Sequence, residues 1–377
     1  MNEPCLKTCA HFRSHFRDLK QVFLYITDQC NLQCEQCIYK PNVAFHSYRQ
    51  VPEETVNKLL ATFRALGAGK LTLLGGEPTL YGFKEGSEPL LRVIQYAKKV
   101  LQYEYIRIDT NGQFSTSLLP RLQEAGLDEL AFSIDDCDPE VNDSIRGKNT
   151  FKRSVANLQH AVALGLRTTI TCCIHRGLCD FGVSGRPRLH DMIEFAKLLK
   201  AHTVNFHDLF KVGVPMDTWT GSLNPSPLDY VPVYNQIKLL VDNGHYDGIH
   251  VRLPQCFVSK EEFEANKEYY GYCPVKLGER VMVHADGVIR ICSNLICTSW
   301  GVARYTESDI SWDNGPSNET FAHELDKLTP CTNRSKLSYG DLVPLCFSFK
   351  PDQEEYSWQQ LDWDRRRTAG TQLKVLN

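Results

Sequence analysis

No stretch of the 377 residues approaches the ~20 consecutive apolar residues that a membrane-spanning helix needs, so no membrane partner is expected. An excess of one charge is missing too. With 42 Lys+Arg against 45 Asp+Glu the formal net charge is −3, which gives no basis for a broad phosphate-binding surface and makes nucleic acid an unexpected partner. The opening Met1-Asn2-Glu3-Pro4-Cys5-Leu6-Lys7 carries no apolar signal segment, from which we expect a cytoplasmic protein in a reducing compartment. Disulfide staples then account poorly for 15 cysteines, and metal or redox chemistry accounts for them better. Apolar residues at 42% and charged ones at 23% describe an ordinary folded chain. Its length suits one α/β domain of roughly 200–250 residues and a smaller second one.

What is present concentrates at Cys30, Cys34 and Cys37, in the stretch Thr27-Asp28-Gln29-Cys30-Asn31-Leu32-Gln33-Cys34-Glu35-Gln36-Cys37. Structural zinc wants four ligands, commonly as two pairs, and no second CxxC or CxxH lies nearby. Unligated structural thiols are the other plain account of the triplet. Thiolates so spaced on one short loop converge instead on three corners of an iron–sulfur cube and leave the fourth iron open to a ligand. The spacing resembles the CxxxCxxC signature of the radical S-adenosylmethionine (radical SAM) superfamily, in which the open iron chelates the amino and carboxylate groups of SAM.

From residue 22 the chain alternates short β-rich runs with longer amphipathic stretches, the pattern of repeated βα units and a parallel sheet. Strands are expected at Val22–Ile26, Lys70–Leu74, Tyr105–Asp109, Glu129–Ile134, Arg167–Cys173 and Thr203–His207. Helical spacing marks Glu53–Leu66, Leu90–Leu101, Ser117–Ala125, Phe151–Leu164 and Leu189–Leu199. The fold class is therefore α/β: a partial (β/α)6 TIM-like barrel, the architecture of radical SAM cores, with a small C-terminal α+β extension built on a β-hairpin and a helix. We expect an N-terminal segment at 1–20, the barrel at 21–210, a connector at 211–255 with a helix at Val231–Val241, the extension at 256–350 and a tail at 351–377.

Ligands of parallel βα folds sit where strands end, and the remaining motifs fall there. Gly75-Gly76-Glu77-Pro78 resembles the superfamily's GGEP motif, whose backbone and carboxylate meet the SAM amino group; alone it would read as a turn. Asp109-Thr110-Asn111-Gly112 reads most simply as a turn. Phe132-Ser133-Ile134-Asp135-Asp136 and Asp143-Ser144-Ile145-Arg146-Gly147 are similar to the Ser-x-Asp and Ile-Arg-Gly segments. The resemblance implies Ser133 and Asp135 at the SAM ribose, with Asp136 as the competitor of Asp135, and Arg146 at the carboxylate. Two departures stand out. Gln36 occupies a position usually aromatic or apolar, which shifts the adenine contact to Tyr39 or Ile38, and Cys172-Cys173-Ile174-His175 replaces the usual apolar platform after the fifth strand.

A hairpin is expected at Arg280–His284 and Val288–Cys292, turned by Ala285-Asp286-Gly287. Around it Cys273, Gly287 and Cys292 form CX13GX4C, which resembles the opening of the SPASM and twitch extensions that hold auxiliary iron–sulfur clusters. The rest of the full SPASM pattern is missing. We expect one auxiliary [4Fe–4S] cluster on Cys273, Cys292, Cys331 and Cys346, with Cys256 or Cys297 as substitutes, against the alternative of buried unligated cysteines.

The resemblance implies a SAM-binding [4Fe–4S] cluster, SAM and an external reductant of the flavodoxin or ferredoxin type. It further implies cleavage to a 5′-deoxyadenosyl radical that takes a hydrogen atom from a peptide or small-molecule substrate. An auxiliary cluster accepting an electron would make the outcome an oxidation or cross-link of a peptide or an aminocyclitol-type molecule. On the fifth strand Thr169, Thr171, Cys173 and His175 share a face, so Cys173 is a candidate hydrogen donor for epimerisation, against the plainer reading of a packed cysteine. Asn205 and His207 on the next strand are candidate substrate ligands. Arg252, Arg280 and Arg290 are candidates for a substrate carboxylate or phosphate, against solvated surface arginines. A non-enzymatic iron–sulfur carrier or scaffold is the remaining alternative, and it has no use for Glu77 or Arg146.

Overall fold

Alternation decides which side of each strand meets the helices. Val22, Leu24, Ile26, Leu71, Leu73, Ile106, Ile108, Leu130, Phe132, Ile170, Cys172, Ile174, Val204 and Phe206 all lie in one buried apolar cluster. The residues between them along each strand are mostly polar, and in a strand those side chains point the opposite way. A parallel sheet so patterned puts its helices on the apolar face and leaves a polar concave face.

The computed structural model describes residues 19–37, 49–182, 185–209, 223, 225, 227–254, 257–265, 278–291, 301–307, 310–311 and 342–344. The barrel runs β1 (Gln21–Thr27), α1 (Glu53–Ala65), β2 (Lys70–Gly75), α2 (Glu88–Gln95, extended by a π-turn over Tyr96–Val100) and β3 (Tyr105–Thr110). It continues through α3 (Leu118–Ala125), β4 (Glu129–Ser133), α4 (Pro139–Arg146), α5 (Thr150–Ala163), β5 (Arg167–Ile174), α6 (Arg188–Leu198) and β6 (Thr203–Asp208). Each expected strand and helix of this region is found, with ends displaced by a residue or two. The helix α4 was not anticipated. Its signal was present: Asp138 accepts hydrogen bonds from the Glu140 and Val141 amides at 2.8 and 3.4 Å, with Pro139 at the first helical position.

Beyond the six units come α7 (Pro227–Asp242), β7 (His250–Arg252), β8 (Phe257–Ser259), α8 (Lys260–Ala265), β9 (Arg280–Val283) and β10 (Val288–Arg290). They are followed by β11 (Ala303–Tyr305), β12 (Ile310–Ser311) and β13 (Leu342–Pro344). The main sheet has 11 strands in the order β12-β11-β10-β9-β1-β2-β3-β4-β5-β6-β7, so β7 adds a seventh parallel strand to β6. The expected hairpin is present as β9 and β10. It does not stand apart, because β9 pairs parallel with β1, Gln21 opposite Arg280 and Leu24 opposite Val283. Among the described residues no helix is long and apolar enough to cross a membrane.

Candidate active site

The loop after β1 carries Cys30, Cys34 and Cys37, all half-buried. Three neighbouring strand or helix ends hold it. The Gly76 amide donates to the Thr27 carbonyl at 2.9 Å and the Glu77 amide to that of Gln29 at 2.7 Å. A Cβ on Gly75 or Gly76 would run into those same carbonyl oxygens, which is why both are glycine. The Glu35 amide donates to the Ile145 carbonyl at 2.9 Å, joining the loop to the end of α4. From the end of β3, the Asn111 side-chain amide donates to Asn31 Oδ1 at 2.7 Å and reaches Cys30 Sγ at 3.9 Å. The Thr110–Gly112 segment is thus a turn, with Gly112 at φ +75°, and also a support of the cysteine loop.

Glu77 is fully buried, and its carboxylate is committed within the protein. Oε1 accepts from the Thr79 amide (3.1 Å), the Thr79 hydroxyl (2.7 Å) and the Thr110 hydroxyl (2.7 Å), while Oε2 accepts from the Asn111 amide (2.7 Å). Burial pushes this carboxyl above the usual range and the four donors pull it back. Within the protein this carboxylate braces the β2 turn against the β3 turn.

At the end of β4 the two neighbouring aspartates separate. Asp135 accepts from Arg146 Nη1 at 2.6 Å, from the Gln36 side-chain amide and from the Cys173 backbone amide at 2.8 Å. Asp136, wholly buried, accepts from Arg188 Nη2 and the Asp138 amide, each at 2.8 Å, and faces His175 Nε2 at 3.1 Å. Burial works to raise the Asp136 pKa, yet His175, the Asp138 amide and Arg188 together lower it. Asp135 therefore faces the cysteine loop and Asp136 the β5–α6 connection. Gln36 has its own explanation here, since a polar side chain is needed to reach Asp135. Ser133 is half-buried opposite Thr171 in register. The Cys173 side chain lies on the concave face, whereas Cys172 is packed in the apolar core.

The concave face is rich in cations. By register Lys70, Arg107, Arg167, Arg252 and Arg280 share it with Asp109 and Glu129 among the described strand residues, and Lys70, Arg167 and Arg280 open their strands, at the end away from the cysteine loop. Glu129 accepts from Arg107 Nη1 at 3.2 Å, the Thr169 hydroxyl at 2.6 Å and the Tyr105 hydroxyl. Burial works to raise its pKa, but Arg107 and Lys70 hold it at about 2. Burial lowers Lys70 to about 7. Asn205 Nδ2 lies 2.8 Å from His207 Nε2 on the same face. Arg252 is buried there instead of solvated, while Arg290, also buried, is bound by Asp286 at 2.9 and 3.1 Å. Tyr39, Cys273, Cys292, Cys331 and Cys346, with Cys256 and Cys297, lie outside the described residues.

The donor set fits an iron–sulfur cluster with a polar ligand. Burial pushes the Cys30 thiol up to about 12 and raises that of Cys34, so these sulfurs stay protonated until a metal replaces the proton. Around the strand ends Gln36 Oε1, Arg146 Nε and Thr171 Oγ1 are buried with no hydrogen-bond partner among the described residues. Buried polar atoms are seldom left so, and three at one mouth are what an amino-acid and ribose ligand would meet.

A parallel βα barrel that presents three cysteines from its first loop and unmet polar atoms beside them defines an enzyme of the cluster-and-SAM class. The chain belongs to the radical SAM superfamily, whose family model matches residues 24–182. It is 31% identical over 350 residues to molybdenum cofactor biosynthesis protein 1 of Drosophila melanogaster, covering 91% of this chain and 56% of that protein. The chain thus spans little more than half the length of that relative. With GTP 3′,8-cyclase of Aquifex aeolicus it shares 31% identity over 245 residues, 62% of this chain and 74% of that one. The fold matches native anSMEcpe with bound AdoMet and Kp18Cys peptide at a TM-score of 0.62 and 15% identity, over 93% of this chain and 98% of that one. Membership implies SAM and a [4Fe–4S] cluster.

Proposed function

We propose that this radical SAM enzyme removes a hydrogen atom from an anionic substrate, of the nucleotide kind for which its GTP 3′,8-cyclase relatives are named, held at the C-terminal strand ends beside the cysteine loop. The 31% identity to a GTP 3′,8-cyclase, over 74% of that relative, carries the reading. Arg252, buried and level with Ser133 through Asn205 and Thr171, is the cation of the concave face placed to meet a phosphate there.

Cys30, Cys34 and Cys37 would hold the cluster, which when bound supplies the electron that splits SAM into methionine and the 5′-deoxyadenosyl radical. The chain's own residues do the rest. Gly75 and Gly76 let the β2 turn lie against the cysteine loop, and Glu77 fixes that turn to β3. Arg146, oriented by Asp135 at 2.6 Å, presents a guanidinium to the SAM carboxylate. Ser133, with Thr171 opposite, offers hydroxyls to the ribose, and Tyr39 is assigned to the adenine side. Asp135 supports this set more than it contacts SAM, because Arg146, Gln36 and the Cys173 amide occupy its oxygens.

The test is anaerobic incubation of the cluster-loaded, reduced protein with SAM and GTP, following 5′-deoxyadenosine and GTP together. Loss of GTP in step with 5′-deoxyadenosine is expected. SAM cleavage that ignores GTP and every other phosphate- or carboxylate-bearing compound overturns the reading. A second reading, oxidation or cross-linking of a peptide or aminocyclitol assisted by an auxiliary cluster, is supported by the CX13GX4C spacing of Cys273 and Cys292 and extends to Cys331 and Cys346. Iron in excess of four atoms per chain would favour it.

A further inference from the structure

Away from the barrel mouth, α6 carries His190 and Glu194, four residues apart and so on one face of the helix. The turn between α7 and β7 brings His245 against them. One nitrogen of each histidine and a Glu194 carboxylate oxygen lie within 4.8 Å of one another, the His245 Nε2 to Glu194 Oε1 separation being 3.8 Å. Among the described residues no other group of three or more His, Cys, Asp and Glu side chains converges in this way.

His190 is buried and already oriented. Its Nδ1 lies 2.7 Å from the Tyr246 hydroxyl and its Nε2 3.1 Å from Arg186 Nη1. A guanidinium has no lone pair, so Arg186 is the donor and Nε2 the acceptor, which leaves the Nδ1 proton to the tyrosine oxygen. That is the tautomer of a metal-binding imidazole, with its other nitrogen fixed by a hydrogen bond. The Arg186 guanidinium puts a positive charge where a metal ion would put one.

We propose that His190, Glu194 and His245 form a divalent-metal site of the zinc type, tying α6 to the turn between α7 and β7, with Arg186 as the cation that gives way. Two imidazoles and one carboxylate, with water completing a tetrahedron, suit zinc at ~2.0–2.1 Å. Glu194 and His245, exposed over 42% and 37% of their side chains, can swing the short distance needed to close on the ion. On coordination His190 Nε2 exchanges the Arg186 guanidinium for the ion, and Arg186 moves into solvent.

Zinc titrated by calorimetry into anaerobic protein with its iron–sulfur centres loaded tests this. One equivalent should bind in a step that weakens at least about tenfold in Glu194→Gln and in His245→Ala. Arg186→Ala, which removes the competing charge, should tighten the same step about threefold or more. Zinc-edge X-ray absorption of the one-equivalent complex should show nitrogen and oxygen neighbours only. Isotherms unchanged in His245→Ala, affinity unchanged or weakened in Arg186→Ala, or sulfur neighbours at ~2.3 Å, the mark of zinc on the chain's cysteines, would each overturn the proposal.

Discussion

Replacing Glu77 with glutamine asks whether this carboxylate braces the site or serves as a ligand for SAM. The amide oxygen must take the place of Oε1, where three donors converge. The amide nitrogen then faces the Asn111 N–H, donor against donor. Leaving that buried amide unmet costs about 1–3 kcal/mol, and turning three charge-assisted hydrogen bonds into neutral ones costs roughly 1 kcal/mol each. Relief from burying a charge offsets part of this, since burial already disfavours the ionised form. The net loss is about 2–4 kcal/mol, read by denaturant unfolding under anaerobic conditions. Because Asn111 also steadies Asn31 and Cys30, the variant should retain less iron per chain. Thr110→Val, which removes one donor to Glu77 without touching the carboxylate, should move stability and iron content the same way by about 1 kcal/mol. A Glu77→Gln protein that unfolds within about 0.5 kcal/mol of wild type and keeps its iron would refute the bracing account.

Gly76→Ala forces a methyl group into the Gln29 carbonyl, so iron content after reconstitution should fall severalfold; full loading would contradict the close packing of the two loops. Lys70 loses its proton above about pH 7 in the folded chain but keeps it to about pH 10 when unfolded. Between those values the unfolded chain binds more protons, so Lys70 makes stability rise with pH, and Lys70→Met should flatten that part of the profile. Cys173→Ala should abolish any epimerised product while SAM cleavage continues; unchanged product and turnover would end the donor role.

The barrel was legible because two periodicities coincide. Strand alternation between aliphatic and polar residues and helical spacing between strands leave a single parallel arrangement, and the cysteine spacing and Gly75-Gly76 mark its first two loops. The helix α4 was missed because its apolar content is low, and only the Asp138-Pro139 start betrays it. The bracing by Glu77 was not legible, since two of its four donors come from the end of another strand 33 and 34 residues on. The difference between Asp135 and Asp136 depends on which way each side chain leaves the β4 terminus, which identical neighbours in sequence do not disclose. Burial of Arg252 was hidden for a similar reason: β7 is three residues long, too short to show alternation.

The pairing of β9 with β1 ties the beginning of the site to a late part of the chain. Until residues 280–283 exist, β1 has a partner only in β2 and presents an open edge to whatever is nearby. At ~5–20 residues per second, the roughly 250 residues between them take on the order of 10–50 s to synthesise. During that interval the strand that feeds the cysteine loop keeps one edge open. A chain interrupted before residue 280 would hold all three cysteines and still lack the strand that closes β1.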